Sequence, residues 1–192
     1  MAKIGLNNFR FGILTEAADG TATYGAATKP AKAVSCNVSI TNNSAMLFAD
    51  DGLAESDTSF QSGTVTIGID NDDLATIATL LGHTYSASTG IVRSSEDIAP
   101  YVGLGRVITR MINGAKSYKV EFLYKVKFGE ASQENTTHGE STEFGTYEFE
   151  GTVMTLADGT WSTAQVFDDK DDAIEYLESL FGTTQVSNNS TH

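Results

Sequence analysis

The sequence has little cysteine, little proline and no long apolar run. Cys36 is its only cysteine, which excludes both an intrachain disulfide framework and a cysteine-rich zinc site. No run of about 18 apolar residues is available to span a bilayer. The N-terminal Met1–Gly5 also lacks the apolar core of a signal peptide. We therefore expect no membrane partner and synthesis in the cytoplasm.

Basic residues are also scarce, and they are concentrated in one segment. The 12 bases against 25 acids give a net charge of −13, which repels nucleic-acid phosphates and argues against tight DNA or RNA binding. Residues 93–127 are the exception, with seven bases and three acids. We predict that this basic hairpin docks onto an acidic face of another copy, and the alternative is an ordinary solvated surface. Its candidate contact residues are Arg106, Arg110, Lys116, Lys119, Lys125 and Lys127.

Length and composition favour one compact globular unit. The 192 residues are 40% hydrophobic and include 18 glycines against two prolines, which is typical of a soluble chain with a buried core and many turns. Residues 183–192 are small and polar apart from one valine, so nothing in them repays ordering. We predict a single domain over 1–182 and a disordered C-terminal tail over 183–192.

Period-two alternation is the main structural signal. It is clearest over 118–128, where aromatic and aliphatic residues alternate with charged ones and predict a half-buried strand whose apolar residues share one face. Together with 101–112 and the turn at Asn113-Gly114, this segment predicts a long β-hairpin. Further strands are predicted over 34–41 and 64–69, and Cys36 is expected to point inward.

A second hairpin and two polar loops complete the predicted β-structure. Asp158-Gly159 is a turn signal that would join a strand over 143–156 to one over 161–167. Residues 42–59 and 129–142 are polar and are predicted to be long loops, of the kind that is usually functional or mobile.

Two amphipathic helices are predicted between the strands. The first follows the acidic run 70–73 and stops at Gly82, and the second follows Asp168-Asp169 and stops at Gly182. The acids are interpreted as helix caps. The fold class is therefore mainly β, a sandwich or barrel, with one flanking α-helix and a C-terminal α-helix.

Patterns for catalysis or metal binding are missing. Calcium-loop spacing counted from Asp70 puts Ala75 where glycine is required and Leu81 where a bidentate glutamate is required. The three histidines have no i, i+4 partner and no adjacent nucleophile motif. Gly103-Leu104-Gly105 lies inside a strand, where close backbone packing explains it better than a phosphate loop does. We expect no catalytic residue, no metal and no cofactor.

Several segments nevertheless look familiar. They resemble the major tail proteins of long, non-contractile-tailed bacteriophages, and the resemblance covers about residues 1–182. The segments that carry it are 4–6, 9–15, 32–40, 48–55, 63–68, 101–105, 120–128, 143–145 and Gly159 with Trp161.

The resemblance implies a tail-tube fold whose copies form hexameric rings that stack into a hollow conduit for DNA ejection. It also implies that the protein resides in the virion, after synthesis in the host cytoplasm, without enzymatic activity. The implied partners are other copies of the chain, the tape-measure protein, the tail terminator and distal tail proteins. DNA would pass through without specific binding.

Two hypotheses on sites follow from the resemblance. Glu148 and Glu150 would face the lumen, and the 42–59 loop would make ring-stacking contacts. The acidic residues proposed for that loop are Asp50, Asp51, Glu55 and Asp57.

Three alternatives remain open. The first is a β-sandwich binding module, such as a phage surface or carbohydrate-binding protein, which would need exposed aromatics on a concave face. The second is a related secretion tube of bacterial origin. The third is a hydrolase using paired carboxylates, either Glu148 with Glu150 or Glu140 with Glu143.

Overall fold

The computed structural model describes residues 2–30, 33–49, 52–69, 73–112, 114–130, 147–182 and 184–185. These residues form a mainly β fold with two short helices, as the sequence predicts. In chain order the elements are β1 (Ala2–Glu16), β2 (Ala22–Tyr24), β3 (Ala33–Ala49), β4 (Gly52–Ile69), α1 (Leu74–Leu81), β5 (Thr84–Ser86), β6 (Gly90–Val92), β7 (Tyr101–Ile112), β8 (Ala115–Phe128), β9 (Tyr147–Met154), β10 (Ser162–Phe167), α2 (Lys170–Ser179) and β11 (Thr184–Gln185).

Helix α1 begins and ends where its sequence indicates, whereas α2 begins as predicted but ends at Ser179, three residues before the predicted stop at Gly182. The Asp73 side chain accepts a hydrogen bond from the backbone N–H of Ala75 at the start of α1. Gly82 ends that helix with φ at 76°, a left-handed conformation that glycine adopts without strain. Asp169 caps α2 by accepting from the N–H groups of Asp171 and Asp172. The acidic clusters thus act as caps, as predicted.

Most of the strands form one antiparallel sheet in the order β11-β2-β1-β7-β8-β9-β4-β3, with β10 beside β8. The sheet folds over itself, so that β4 and β9 pack across β1, β7 and β8. This first core contains Phe9, Phe11, Val65, Ile67, Leu104, Val126 and Phe149 among its buried residues. A second core lies on the other face of β7 and β8, where α2 packs with β2. It contains Tyr24, Val107, Val120, Phe122, Leu177 and Phe181.

The strand predicted over 118–128 is present but is not half-buried. Phe122 belongs to the second core, whereas Leu123 and Val126 both belong to the first. The pairing of β8 with β7 explains this, because Val102 faces Val126 while Leu104 faces Leu123. One extra residue on β8 forms a β-bulge, and the alternation shifts to the other face. The alternation of apolar and other residues therefore continues in the sequence, but the apolar side chains beyond the bulge lie on the other face of the sheet.

The predicted loop over 42–59 is wrong, because its described residues continue the β3–β4 hairpin. These strands are 17 and 18 residues long, and their pairing runs from Ala33–Ile69 to Ala49–Gly52. Before Gly63, β4 pairs with no described strand other than β3, whereas Gly63–Ile69 also pair with β9. We call residues 41–49 with 52–62 the β3–β4 arm. Its side chains at 41–44, 58 and 59 are exposed, Phe60 at its base packs against the first core, and pairing between β3 and β4 satisfies the backbone of the ribbon.

The predicted hairpin across Asp158-Gly159 is also wrong. A tight turn is present, with Gly159 at φ 84° and the Leu156 N–H donating to the Thr160 carbonyl. However, β9 and β10 do not pair with each other. Both lie antiparallel to β8, β9 along its residues 125–128 and β10 along 118–123. After the turn, β10 continues in the same direction along β8, the strand with which β9 also pairs.

The C-terminal prediction fails at two residues. Thr184 and Gln185 form β11, which pairs with Thr23 and Ala22 of β2. Backbone pairing on an open strand edge needs no apolar side chain, so composition does not reveal it. The rest of the predicted tail lies outside the described residues, as does the 129–142 loop beyond Glu130.

The Gly103-Leu104-Gly105 sequence has the packing role that was predicted for it. A Cβ on Gly103 would lie 2.5 Å from the Tyr24 ring and 2.8 Å from the Phe122 ring. A Cβ on Gly105 would lie 2.3 Å from a methyl of Leu177 in α2. These glycines let the second core close onto the sheet.

We expect Gly103→Ala to destabilise the protein by about 1–3 kcal/mol, because two buried rings would have to move. Gly5→Ala is the matched control, since a Cβ there meets no atom within 4 Å. Urea unfolding at neutral pH measures both. Equal stability of the two variants would contradict the packing role.

Candidate functional site

A cleft of about 350 Å³ lies between β3 and β10, over β7 and β8. We call it the β3–β10 cleft. Among the described strands, β3 pairs with β4 alone and β10 with β8 alone. Each bordering strand therefore has one backbone edge without a strand partner in the described chain, and such edges are sites of strand addition. The cleft is lined by Cys36, Val38, Ile40, Leu104, Arg106, Lys119, Glu121, Leu123, Trp161, Ser162, Thr163 and Ala164.

A charged group occupies one part of this cleft. Glu121 accepts hydrogen bonds from Arg106 Nε at 2.9 Å and Nη2 at 2.6 Å, and from Lys119 Nζ at 2.6 Å. Arg106 Nη1 donates across the sandwich to the Cys36 carbonyl of β3 at 2.5 Å. Two cations thus share one carboxylate, and the group keeps a net positive charge. The Lys119 side chain is the most accessible of the three, with 33% exposed.

The hydrogen bonds determine the ionisation of Glu121. Burial by itself would raise the pKa of this carboxyl, but the donors Lys119 and Arg106 outweigh burial, and the net pKa is lowered. The carboxylate is therefore charged at neutral pH. It is committed to two cations and is poorly suited to act as a general base.

Apart from Ser162 and Thr163, the rest of the cleft lining is apolar. Trp161 stacks on Phe60 at the base of the arm, with ring centroids 4.8 Å apart and planes 10° from parallel. One face of the indole is thereby covered. Cys36 is partly buried here, as predicted, and burial raises the pKa of its thiol, which disfavours the nucleophilic thiolate. The cleft thus places an apolar surface beside a positively charged group.

The six predicted basic residues do not form one surface. Arg106 and Lys119 line the cleft. Lys125 and Lys127 lie beyond the β-bulge, over the ring of Tyr101 at 4.7 and 5.3 Å from its centroid, and Lys125 also pairs with Glu16. Arg110 and Lys116 flank the hairpin turn, opposite Ser117 and Met111. Across the bulge, the lysines of β8 lie on opposite faces of the sheet, Lys119 on the cleft side and Lys125 and Lys127 on the other.

The predicted acidic residues lie in two other places. Glu148 and Glu150 are exposed on β9, on either side of the buried Phe149, as the alternation predicts. Their backbones pair with Gly68 and Thr66 of β4. Asp50 and Asp51 lie outside the described residues, as do Glu140 and Glu143. Positions 55 and 57 lie on β4 of the arm, paired with 47 and 45.

One polar cluster was not predicted. His83, whose side chain is 3% exposed, has Nδ1 2.7 Å from Asp97 Oδ2 and Nε2 2.7 Å from Glu130 Oε1. The second contact is an ion-pair approach without hydrogen-bond geometry. The hydrogen bond from His83, with that of the Ser94 N–H, lowers the pKa of Asp97. The partners are 14 and 47 residues away in sequence, so no local spacing could indicate them.

Searches for a metal centre and for a membrane span give negative results over the described chain. No group of three or more His, Cys, Asp or Glu side chains is placed to hold a metal among the residues in the described ranges. Neither described helix, of eight and ten residues, is long and apolar enough to cross a membrane.

We expect Glu121→Gln to change how stability depends on pH. Because the pKa of Glu121 is lower in the folded chain than in the unfolded chain, its contribution is present above the unfolded value of 4.5 and is lost as the pH falls through the folded value. The variant should be about 1–2 kcal/mol less stable at neutral pH, with the difference shrinking in acid. Urea unfolding over a pH series measures this, with exposed Glu148→Gln as control. Parallel curves for both variants would contradict the assignment.

Comparison with protein-family models and with curated proteins finds no match to this chain.

Proposed function

We propose that this chain is a structural subunit of a bacteriophage tail tube. Copies would form hexameric rings, and the rings would stack into a hollow conduit through which DNA is ejected. The proposal combines the resemblance of residues 1–182 to major tail proteins with one structural observation, the β3–β4 arm. This arm is a long paired ribbon that no other described strand covers.

In an isolated copy, the arm is exposed to solvent and to pairing with other chains. Its residues 41–44, 58 and 59 are exposed, and β3 leaves an unpaired backbone edge in the described chain. A long open edge invites pairing with other chains, and natural monomers shorten, cover or charge such edges. In a head-to-tail assembly each copy covers the edge of the next, and closure gives a ring. The arm therefore supports self-assembly.

The charge distribution supports a conduit for DNA. Residues 128–192 hold thirteen acids and one base, and Glu148 and Glu150 are exposed together on β9. A negative inner wall repels phosphates and lets DNA slide without adhering. We assign these two glutamates to the lumen.

The described ion pairs support a structural role. Arg10 of β1 pairs with Glu178 of α2 at 3.5 Å, and Arg106 links β7 to β8 and β3. Each of these contacts ties separate elements of the fold together. In the virion, the tape-measure protein would lie inside the tube, and the terminator and distal tail proteins would contact its ends.

Purified protein should form rings or hollow tubes as its concentration rises. Size-exclusion chromatography with light scattering, followed by negative-stain microscopy, measures this over several salt concentrations. Salt should weaken assembly, because it screens the attraction between basic groups of one copy and acidic groups of the next. A strict monomer under every condition would contradict self-assembly and favour a β-sandwich binding module.

Replacing Glu148 and Glu150 with lysine should leave tubes intact but slow DNA ejection, because phosphates would then adhere to the wall. Ejection kinetics from virions carrying the variant measure the effect. The control replaces exposed Glu96 and Glu175 with lysine, which changes the net charge equally. Unchanged ejection in the Glu148/Glu150 variant would rule out the lumen assignment.

A further inference from the structure

We propose that the β3–β10 cleft is the receiving site for the β3–β4 arm of a second copy of this chain. This inference rests on the proposed function and identifies which surfaces meet. Two features of the chain carry it. The cleft has a positively charged group, an apolar lining and two bordering strands that each have an edge without a strand partner in the described chain. The arm of the same chain is acidic.

The cleft can accept a strand. Its borders, β3 and β10, each have a backbone edge without a strand partner in the described chain, and on β3 the Cys36 carbonyl accepts from Arg106. Added strands gain affinity from main-chain hydrogen bonds and specificity from side chains that enter pockets at alternate positions. Leu104, Leu123 and Ile40 supply an apolar surface for such side chains. The volume of about 350 Å³ has room for several of them.

The charge of the cleft selects an acidic occupant. Among the described residues that line the cleft, Arg106 and Lys119 are balanced by one carboxylate, Glu121, so this lining is locally positive in a chain of net charge −13. In the sequence, the β3–β4 arm contains two acids, Glu55 and Asp57, and no base, and Asp50 and Asp51 lie between its two strands in the chain. The arm also contains apolar residues at 46–48 and 53. Opposite charge at this contact offsets the repulsion between two acidic copies and determines their register.

The occupant must come from another copy. On β3, the arm position 45, which pairs with 57, is nine residues beyond Cys36 of the cleft. At about 3.3 Å per residue the two points are roughly 30 Å apart along one strand. An arm therefore cannot fold back into its own cleft without dismantling the β3–β4 ladder. Head-to-tail insertion repeats from copy to copy, which is the arrangement that closes rings or builds filaments.

A charge exchange in the full-length protein tests the pairing. We expect Lys119→Glu and Glu55→Lys each to weaken self-association at least tenfold, measured by analytical ultracentrifugation at low salt. Mixing the two variants should restore association in part, because the reversed cleft of one accepts the reversed arm of the other. Lys116→Glu is the matched control, with the same charge change on β8 at an exposed position outside the cleft.

Disulfide trapping tests the same contact with the cleft charges unchanged. Cys36 is the chain's only cysteine and lines the cleft. In an Asp57→Cys variant, mild oxidation should link Cys36 to the introduced thiol of another copy, because the distance along the strand forbids an intrachain bond. Linked species should appear as a ladder on a non-reducing gel. Glu175→Cys, on the exposed side of α2, is the control and should give no ladder.

The outcomes separate this inference from the proposed function. Tubes that form normally with Lys119→Glu, without trapping through Cys36, overturn the cleft and leave the tube standing. Association that passes through the cleft but yields no ring or tube supports the cleft and overturns the tube. Failure of the mixed variants to associate better than either alone overturns the pairing of arm and cleft. An absence of both association and trapping overturns the inference.

Discussion

Burial of the β7–β8 pair on both faces is the constraint on which the rest of the structure depends. One face carries the sandwich core and the other carries the core under α2. Gly103 and Gly105 make this possible by leaving space for the Tyr24 and Phe122 rings and for Leu177. The β-bulge opposite them transfers the apolar row of β8 from one core to the other. Without the bulge, the apolar residues of β8 on one side of it would lie on the wrong face of the sheet, away from their core.

The same pair positions the charged part of the cleft. Arg106 and Glu121 are direct cross-strand neighbours, and Arg106 continues across the sandwich to the backbone of β3. Half-buried ion pairs of this kind are retained where geometry and additional hydrogen bonds repay desolvation. Here the hydrogen bonds of Arg106 link β7 and β8 to β3, close to the edges of β3 and β10 that have no strand partner in the described chain. The cleft is therefore an outcome of how the sheet closes, and its positive charge follows from two cations meeting one carboxylate.

Parts of this arrangement were accessible from the sequence. The turn at Asn113-Gly114 already places Arg106 opposite Glu121, so the cross-strand pair could have been predicted from hairpin register alone. The caps at Asp73 and Asp169 were predicted because capping depends on side chains within a few residues of the backbone groups that they satisfy. The outward positions of Glu148 and Glu150 followed from simple alternation around Phe149. The loop predicted over 42–59 was wrong because polar composition does not distinguish a loop from a strand pair that projects from the core.

The mainly β class, the start of each capped helix, the 101–128 hairpin and the net negative charge could all be predicted from the amino-acid sequence. Each of them depends on local periodicity, on turn and cap residues or on composition. Tertiary structure alone decided where β10 pairs, which face each lysine of β8 occupies, and that His83 meets Asp97 and Glu130. It also decided that Cys36, Arg106, Lys119 and Trp161 border one cleft. Those features join residues far apart in the chain, and a one-residue bulge is enough to reverse them.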